Sequence, residues 1–276
     1  MPDILFYLIT SMMYAALAIY YWRTRWVALP EAEPVTPGAA RVEHLLVLVP
    51  LIAHGALLYE SMLAGNGMRL GVGNTISVVV WLTVLIHWGG TWFYNLQGLQ
   101  SMAMPAAAVA VLMPMVFPPL HPLINTGAPA LEIHLLIAIV AYSLFTIAAL
   151  HVALMVLLER HLHGGNLPMM LSKLPPLLTM ENLLFRIIAV GFALLTLTLA
   201  TGIFFSEELF GKPLRFDHKT VFSILSWIVF AALLGGRWLY GWRGRIAVRW
   251  TMTGFVMLVL AYIGSKFVLE VLLGRS

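Results

Sequence analysis

The sequence predicts an all-α fold, a polytopic membrane helix bundle of about eight transmembrane helices with both termini outside. Of its 276 residues, 61% are hydrophobic and only 10% are charged, whereas soluble domains carry roughly 25% charged residues. The apolar residues also recur in runs near the ~20 residues that a helix needs to cross the hydrocarbon core. The lipid bilayer is therefore the expected solvent of this chain.

The apolar runs define the predicted spans, and together they form one integral membrane domain. The fourth run is short and contains Pro105 and Pro114, which membrane helices tolerate where neighbouring groups satisfy the freed backbone. Proline-rich stretches at 30–40 and 164–181 are predicted to be loops. The eight runs cover residues 3–22, 45–63, 75–95, 101–117, 131–158, 183–206, 220–240 and 248–272.

Basic residues predict the orientation of the spans. If the first span runs from outside to inside, ten of the 16 Lys and Arg residues fall in inner loops, where a positive bias is expected. The net charge of +4 thus reflects membrane topology, and nucleic acid is not an expected partner. The ten inner residues are Arg23, Arg25, Arg41, Arg160, Lys173, Arg186, Arg237, Arg243, Arg245 and Arg249.

The sequence lacks the residue patterns of several enzyme classes. It has no cysteine, which excludes disulfides, thiolate metal sites and CxxC redox chemistry. No span contains HExxH or HxxxH, and no nucleophile elbow, phosphate loop or dinucleotide motif stands in a strand–turn–helix context. No catalytic constellation is found, so the chain is not predicted to be an enzyme.

Histidines are the main candidates for chemistry. Five of the nine lie within or at the edges of spans, where an ionisable residue is by default a functional candidate. The alternative is that each neutral ring only hydrogen-bonds a neighbouring helix. His44, His161 and His163 lie beside charges in inner loops and are predicted to be solvated. The five in spans are His54, His87, His134, His151 and His218.

Two of these histidines are predicted to lie at equal depth. His134 opens the fifth span and His218 opens the seventh, and an even number of crossings places both on the outer side. Imidazoles are common axial ligands of haem iron, so the pair could hold a six-coordinate haem. His151 follows His134 by 17 residues, about 25 Å of helix, and cannot share that site. Arg215 and Lys219 could pair with haem propionates, or could simply balance acidic residues in the outer loop.

Motifs in the C-terminal half resemble the cytochrome c assembly (CcsA-like) family, and in particular its short stand-alone branch. The resemblance rests on LPPLLTMENLLFR at 174–186, GFALLT at 191–196, DHKT at 217–220, GWRG at 241–244 and AYIG at 261–264. His134 corresponds to the family's outer histidine, and His54 to a buried histidine of the short branch. The outer loop at 207–217 contains no tryptophan, unlike the tryptophan-rich segment of the larger members.

The resemblance implies a haem-binding or haem-delivery protein of the bacterial inner (plasma) membrane that acts in cytochrome c biogenesis. Haem is the implied cofactor or cargo, held by His134 and His218 as iron ligands with His54 as a deeper candidate. Other cytochrome c assembly proteins are possible partners. Two alternatives stay open, a transporter of small anions or haem precursors and a membrane scaffold that regulates haem synthesis.

Overall fold

The computed structural model describes residues 4–24, 37–63, 68–93, 98–118, 129–163, 176–204 and 218–268, without the side chains of 37–41 and 161–163. Every regular element in these ranges is helical, which confirms the predicted all-α class. The helices are α1 Ile4–Trp22, α2 Pro37–Leu46, α3 Leu48–Met62, α4 Val72–Gly90, α5 Gln100–Ala110, α6 Met113–Val116, α7 Pro129–His163, α8 Leu177–Phe204, α9 His218–Tyr240 and α10 Arg245–Val259. A π-helical turn, Leu260–Gly264, and the short helix α11, Ser265–Phe267, continue α10.

Seven helices in the described ranges are long and apolar enough to cross a membrane. They match seven of the eight predicted spans, with α2 and α3 joined into one apolar helix over Val42–Met62. The remaining predicted span, the fourth, corresponds to the shorter apolar segment Gln100–Val116, which is divided between α5 and α6. The molecule is therefore a polytopic helical membrane bundle.

The shorter segment runs antiparallel to α4 over most of its length. Carbonyl groups of Met113 and Phe117 occupy the space that a Cβ at Gly73 would need, in the first turn of α4. Near the other end of α4, Val84 belongs to the same core cluster as Met104 of α5. Helices α5 and α6 therefore run back along α4 despite the break between them.

The loop predictions at 30–40 and 164–181 extended too far. The structure begins α2 at Pro37 and α8 at Leu177. In both cases proline occupies the N-terminal edge of the helix, a position where its missing N–H costs no intrahelical hydrogen bond. Proline there marks a helix start and does not belong to the predicted loop.

Helices α7 to α10 pack around two stacked phenylalanines. The Phe145 and Phe230 rings lie 4.0 Å apart and nearly parallel, and both are fully buried. Gly191 of α8 and Gly254 of α10 approach the two rings, because a Cβ on either glycine would be within 3.2 Å of a ring atom. Glycine is required at Gly254 for this close helix approach.

Helix α4 joins this C-terminal group to α1, α3 and α5. The Thr83 hydroxyl lies 3.3 Å from the Ser143 carbonyl oxygen, and the Ser143 hydroxyl lies 3.0 Å from the carbonyl oxygen of Val79. At one end of the bundle, Phe117 and Phe267 make an edge-on ring contact at 5.9 Å. The two groups of helices therefore form one bundle, and hydroxyl-to-carbonyl contacts hold α4 against α7.

Candidate functional site

Four helix ends meet at one end of the bundle and bring together His134, Thr201, Lys219 and Tyr262, which we call the helix-end cluster. His134 lies in the second turn of α7, Thr201 in the last turn of α8, Lys219 at the start of α9 and Tyr262 in the π-helical turn. Residue His134 is buried, with 8% of its surface exposed. An ionisable side chain shielded in this way within a membrane span is a candidate functional group.

The contacts of Thr201 favour one tautomer of His134. Nδ1 of His134 lies 2.8 Å from the Thr201 hydroxyl oxygen, and that hydroxyl also lies 2.8 Å and 3.1 Å from the carbonyl oxygens of Leu197 and Thr198 in its own helix. Because its proton has carbonyl acceptors within α8, we assign the hydroxyl oxygen as the acceptor of Nδ1–H of His134. This arrangement places the lone pair of the neutral ring on Nε2. A histidine that donates one ring N–H to a neighbouring oxygen is oriented as metal-ligating histidines usually are.

Lys219 adds a positive charge to the cluster. Its ammonium lies 5.3 Å from the centre of the Tyr262 ring, within the range of a cation–π contact, and it is close enough to His134 for an electrostatic interaction. Tyr262 in turn lies beside Tyr142 of α7, with ring centres 6.4 Å apart. The cluster thus combines an oriented imidazole, a cation and two tyrosine rings.

The other predicted residues of this site have different positions. His218 opens α9 and is solvent-exposed, so it is less shielded than the buried His134. Arg215 lies outside the described residues. Lys219, which follows His218, is the predicted residue of α9 that interacts with His134.

The deeper histidines are hydrogen-bonded or buried elsewhere. His54 is fully buried, and its Nε2 lies 2.8 Å from the Ser77 hydroxyl of α4. His151 donates from Nε2 to the Met180 carbonyl near the start of α8, at 3.0 Å. Because His134 contacts the last turn of α8, the structure confirms that His151 and His134 lie toward opposite ends of the bundle. The bond from His54 to Ser77 fits the alternative of a histidine that joins two helices.

His44 is not the solvated loop histidine that the sequence predicted. Its ring stacks on Trp88 with centres 4.8 Å apart and meets Trp92 edge-on at 4.9 Å. The Trp88 indole also donates to the His44 carbonyl at 3.0 Å. Charged neighbours in the sequence suggested a loop, whereas the aromatic partners come from α4 and from the turn that follows it.

Sequence reasoning missed Thr201 and Tyr262 as members of the cluster. Gly202, the neighbour of Thr201 in α8, also faces the cluster. In the structure a Cβ on Gly202 would lie 3.5 Å from Cε1 of His134, an ordinary contact that a small residue keeps open. Tyr262 was quoted only as part of the AYIG motif, and the π-helical turn that carries it has no compositional signal.

Comparison with known proteins gives one consistent family. Residues 41–273 match the family model described as cytochrome C assembly protein. The chain is 30% identical over 243 residues to the inner membrane protein YpjD of Escherichia coli K12, covering 85% of this chain and 89% of that protein. It is 35% identical over 155 residues to an uncharacterized 28.8 kDa protein of Azospirillum brasilense, covering 55% of this chain and 57% of that protein.

A shorter similarity reaches the cytochrome c biogenesis protein CcsA of Gloeobacter violaceus, with 34% identity over 92 residues, or 33% of this chain and 27% of that protein. The family match includes α3 to α10 and the whole helix-end cluster. The chain is a member of the cytochrome c assembly protein family.

Proposed function

We propose that this chain is an inner-membrane protein that binds or delivers haem in cytochrome c biogenesis, with His134 as an axial ligand. The observation that carries the proposal is the 2.8 Å contact between Nδ1 of His134 and the Thr201 hydroxyl, because a ring that donates from Nδ1–H has its lone pair on Nε2. Neutral imidazole is a standard ligand of haem iron. Haem here is the cargo, and the family membership and the relatives YpjD and CcsA support its link to cytochrome c assembly.

The charge of Lys219 near His134 fits a haem whose propionates face the membrane surface. Lys219 is a candidate partner for one propionate, since charge-assisted contacts with carboxylates are the stronger hydrogen bonds. Arg215 is proposed as a second partner. His218 is the proposed second axial ligand, and its exposure at the start of α9 would let it bind a haem that enters from that surface.

The absorption spectrum of the purified protein after haem addition tests this proposal. We expect a Soret band that weakens or shifts in His134→Ala and in His218→Ala but not in His151→Ala, the control at the opposite end. A band that stays unchanged in both ligand variants would remove these two residues from the site. His54→Ala separates the deeper candidate, because loss of haem in that variant alone would place the binding site near the membrane centre.

Thr201 has a sharper test as a positioning residue. Thr201→Val keeps the side-chain shape but removes the acceptor for Nδ1–H, and Thr201→Ser keeps it. We expect Thr201→Val to weaken haem affinity by roughly 10-fold or more, as for other groups that orient metal ligands, and Thr201→Ser to bind nearly as the natural protein does. Equal affinities of the Val and Ser variants would contradict this role.

The helix break in the fourth segment does not favour the transporter alternative. Transporters of several folds bind substrate at discontinuous helices near the membrane midplane. Here the break at Val111 and Leu112 lies just before Met113, whose carbonyl packs against the first turn of α4. The interruption is therefore close to one end of the bundle. Anion uptake by proteoliposomes without bound pigment would nevertheless support transport over haem handling.

A further inference from the structure

We propose that the turn between α9 and α10 binds the headgroup of an anionic phospholipid. Three exposed arginines lie together at this turn, Arg243 within it and Arg245 and Arg249 at the start of α10. Arg245 and Arg249 are four residues apart and so share one helix face. The site lies at the other end of α9 from the helix-end cluster, about 33 Å away along the helix, and does not depend on the proposed function.

The turn is held in a defined shape. Gly241 and Gly244 have φ angles of 66° and 55°, a region that L side chains rarely adopt. The amide of Gly241 donates to the Arg237 carbonyl at 3.1 Å, and the amide of Trp242 donates to the Gly236 carbonyl at 3.2 Å. Gly236 has no room for a Cβ because the Trp242 ring fills that space. The exposed arginines therefore lie on and beside a turn with a defined backbone conformation.

Arg237 links this turn to α8. Its guanidinium donates to the Glu181 carboxylate at 3.0 Å, to the carbonyl of Trp242 at 3.2 Å and to the side chain of Asn182 at 3.0 Å. It also lies 4.7 Å from the centre of the Phe185 ring. Because Glu181 is already paired with Arg237, its charge does not neutralise the arginines of the turn.

Charge and position together indicate a lipid headgroup. Of the three arginines, Arg245 has an acidic partner, Glu159, at 3.4 Å, and its side chain is still 78% exposed. Trp238 and Tyr240, which end α9, are 85% and 76% exposed, as expected of aromatic residues at the membrane–water interface. Guanidinium groups bind phosphate with two parallel hydrogen bonds, and basic sites at helix ends bind anionic lipid headgroups.

Native mass spectrometry of the full chain from mixed micelles tests the site. With equal amounts of phosphatidylglycerol and phosphatidylcholine, we expect the first retained lipid to be phosphatidylglycerol. One arginine contributes roughly fivefold to the binding of anionic lipid. The paired substitution Arg243→Gln and Arg249→Gln should therefore weaken phosphatidylglycerol binding by roughly 30-fold.

Matched variants separate a headgroup site from general charge. Arg69→Gln, an exposed arginine beside α4, should bind phosphatidylglycerol as the natural protein does. Arg243→Lys with Arg249→Lys keeps the charge but loses the two parallel hydrogen bonds to phosphate, so it should bind phosphatidylglycerol more weakly than the natural protein and more tightly than the paired glutamine variant. Arg243→Gln alone supplies the comparison if the paired glutamine variant does not fold. Unchanged retention in the glutamine variants, or an equal loss in Arg69→Gln, would overturn the proposal.

Two other ligands would also overturn it. Displacement of the lipid by inorganic phosphate at millimolar concentration would indicate a free-anion site, and stronger capture of an acidic peptide would indicate a protein partner.

Discussion

Substitution of Gly254 by alanine should destabilise the bundle, because the added methyl group would collide with Phe230. The new Cβ would lie 2.7, 2.9 and 3.0 Å from three atoms of that ring, whereas carbon atoms in contact prefer about 3.5–4.0 Å. The ring cannot retreat freely, since it stacks on Phe145 at 4.0 Å. Phe145 in turn lies close to Gly191, where a Cβ would be 3.2 Å from the ring.

The size of the effect follows from this confinement. Overpacking a filled core typically lowers the free energy of unfolding by about 1–3 kcal/mol. Because Phe230 is fully buried and stacks on a second fully buried ring, we expect a decrease of about 2 kcal/mol for Gly254→Ala. That loss corresponds to a change of roughly 30-fold in the unfolding equilibrium constant. Gly235→Ala is the matched control on α9, because no atom lies within 4 Å of its added Cβ and alanine favours a helix.

Reversible unfolding in mixed micelles, followed by tryptophan fluorescence, measures both variants under the same conditions. Gly254→Ala should unfold at lower denaturant concentration than the natural protein, and Gly235→Ala at an equal or higher concentration. Equal stabilities of the two variants would refute the packing argument. They would mean that Gly254 of α10 lies farther from the Phe230 ring of α9 than the structure shows.

Two further predictions concern buried polar contacts. Arg237→Leu leaves the Glu181 carboxylate, which is 9% exposed, without its cation. This variant should lower the free energy of unfolding by about 3 kcal/mol. Adding Glu181→Gln to it should recover part of the loss in the same unfolding assay. Ser77→Ala removes the hydroxyl that lies 2.8 Å from Nε2 of His54. It should lower the free energy of unfolding by about 0.6 kcal/mol, the mean for side-chain hydrogen bonds between membrane helices. A decrease above about 2 kcal/mol would show that His54 does more than join α3 to α4.

The membrane spans were predictable because their signal is physical and local. A helix that crosses the hydrocarbon core needs about 20 apolar residues, and this requirement is visible in the sequence without any tertiary information. The break at Val111 and Leu112 was not visible. Prolines in a membrane segment bend or interrupt it according to what the neighbouring helices offer, so the outcome at Pro105, which α5 accommodates, differs from that near Pro114.

The candidate site was only partly predictable for a related reason. The depth of His134 follows from its position at the start of a span, and so does its separation from His151. Its partner Thr201 depends on how α7 and α8 rotate against each other, which no local pattern records. Tyr262 lies near Lys219 because it is in a π-helical turn. A π-helical turn adds one residue to a helical turn, and in an apolar span that extra residue leaves the sequence pattern almost unchanged. His44 shows the same limit, since its tryptophan partners come from another helix.

The electron paramagnetic resonance spectrum of the ferric, haem-loaded protein tests ligation by His134 most directly. Two imidazole ligands should give a low-spin signal, and loss of one ligand in His134→Ala should convert it to a high-spin signal. His151→Ala should leave the low-spin signal intact. A low-spin signal that persists unchanged in His134→Ala would contradict the central role of this histidine.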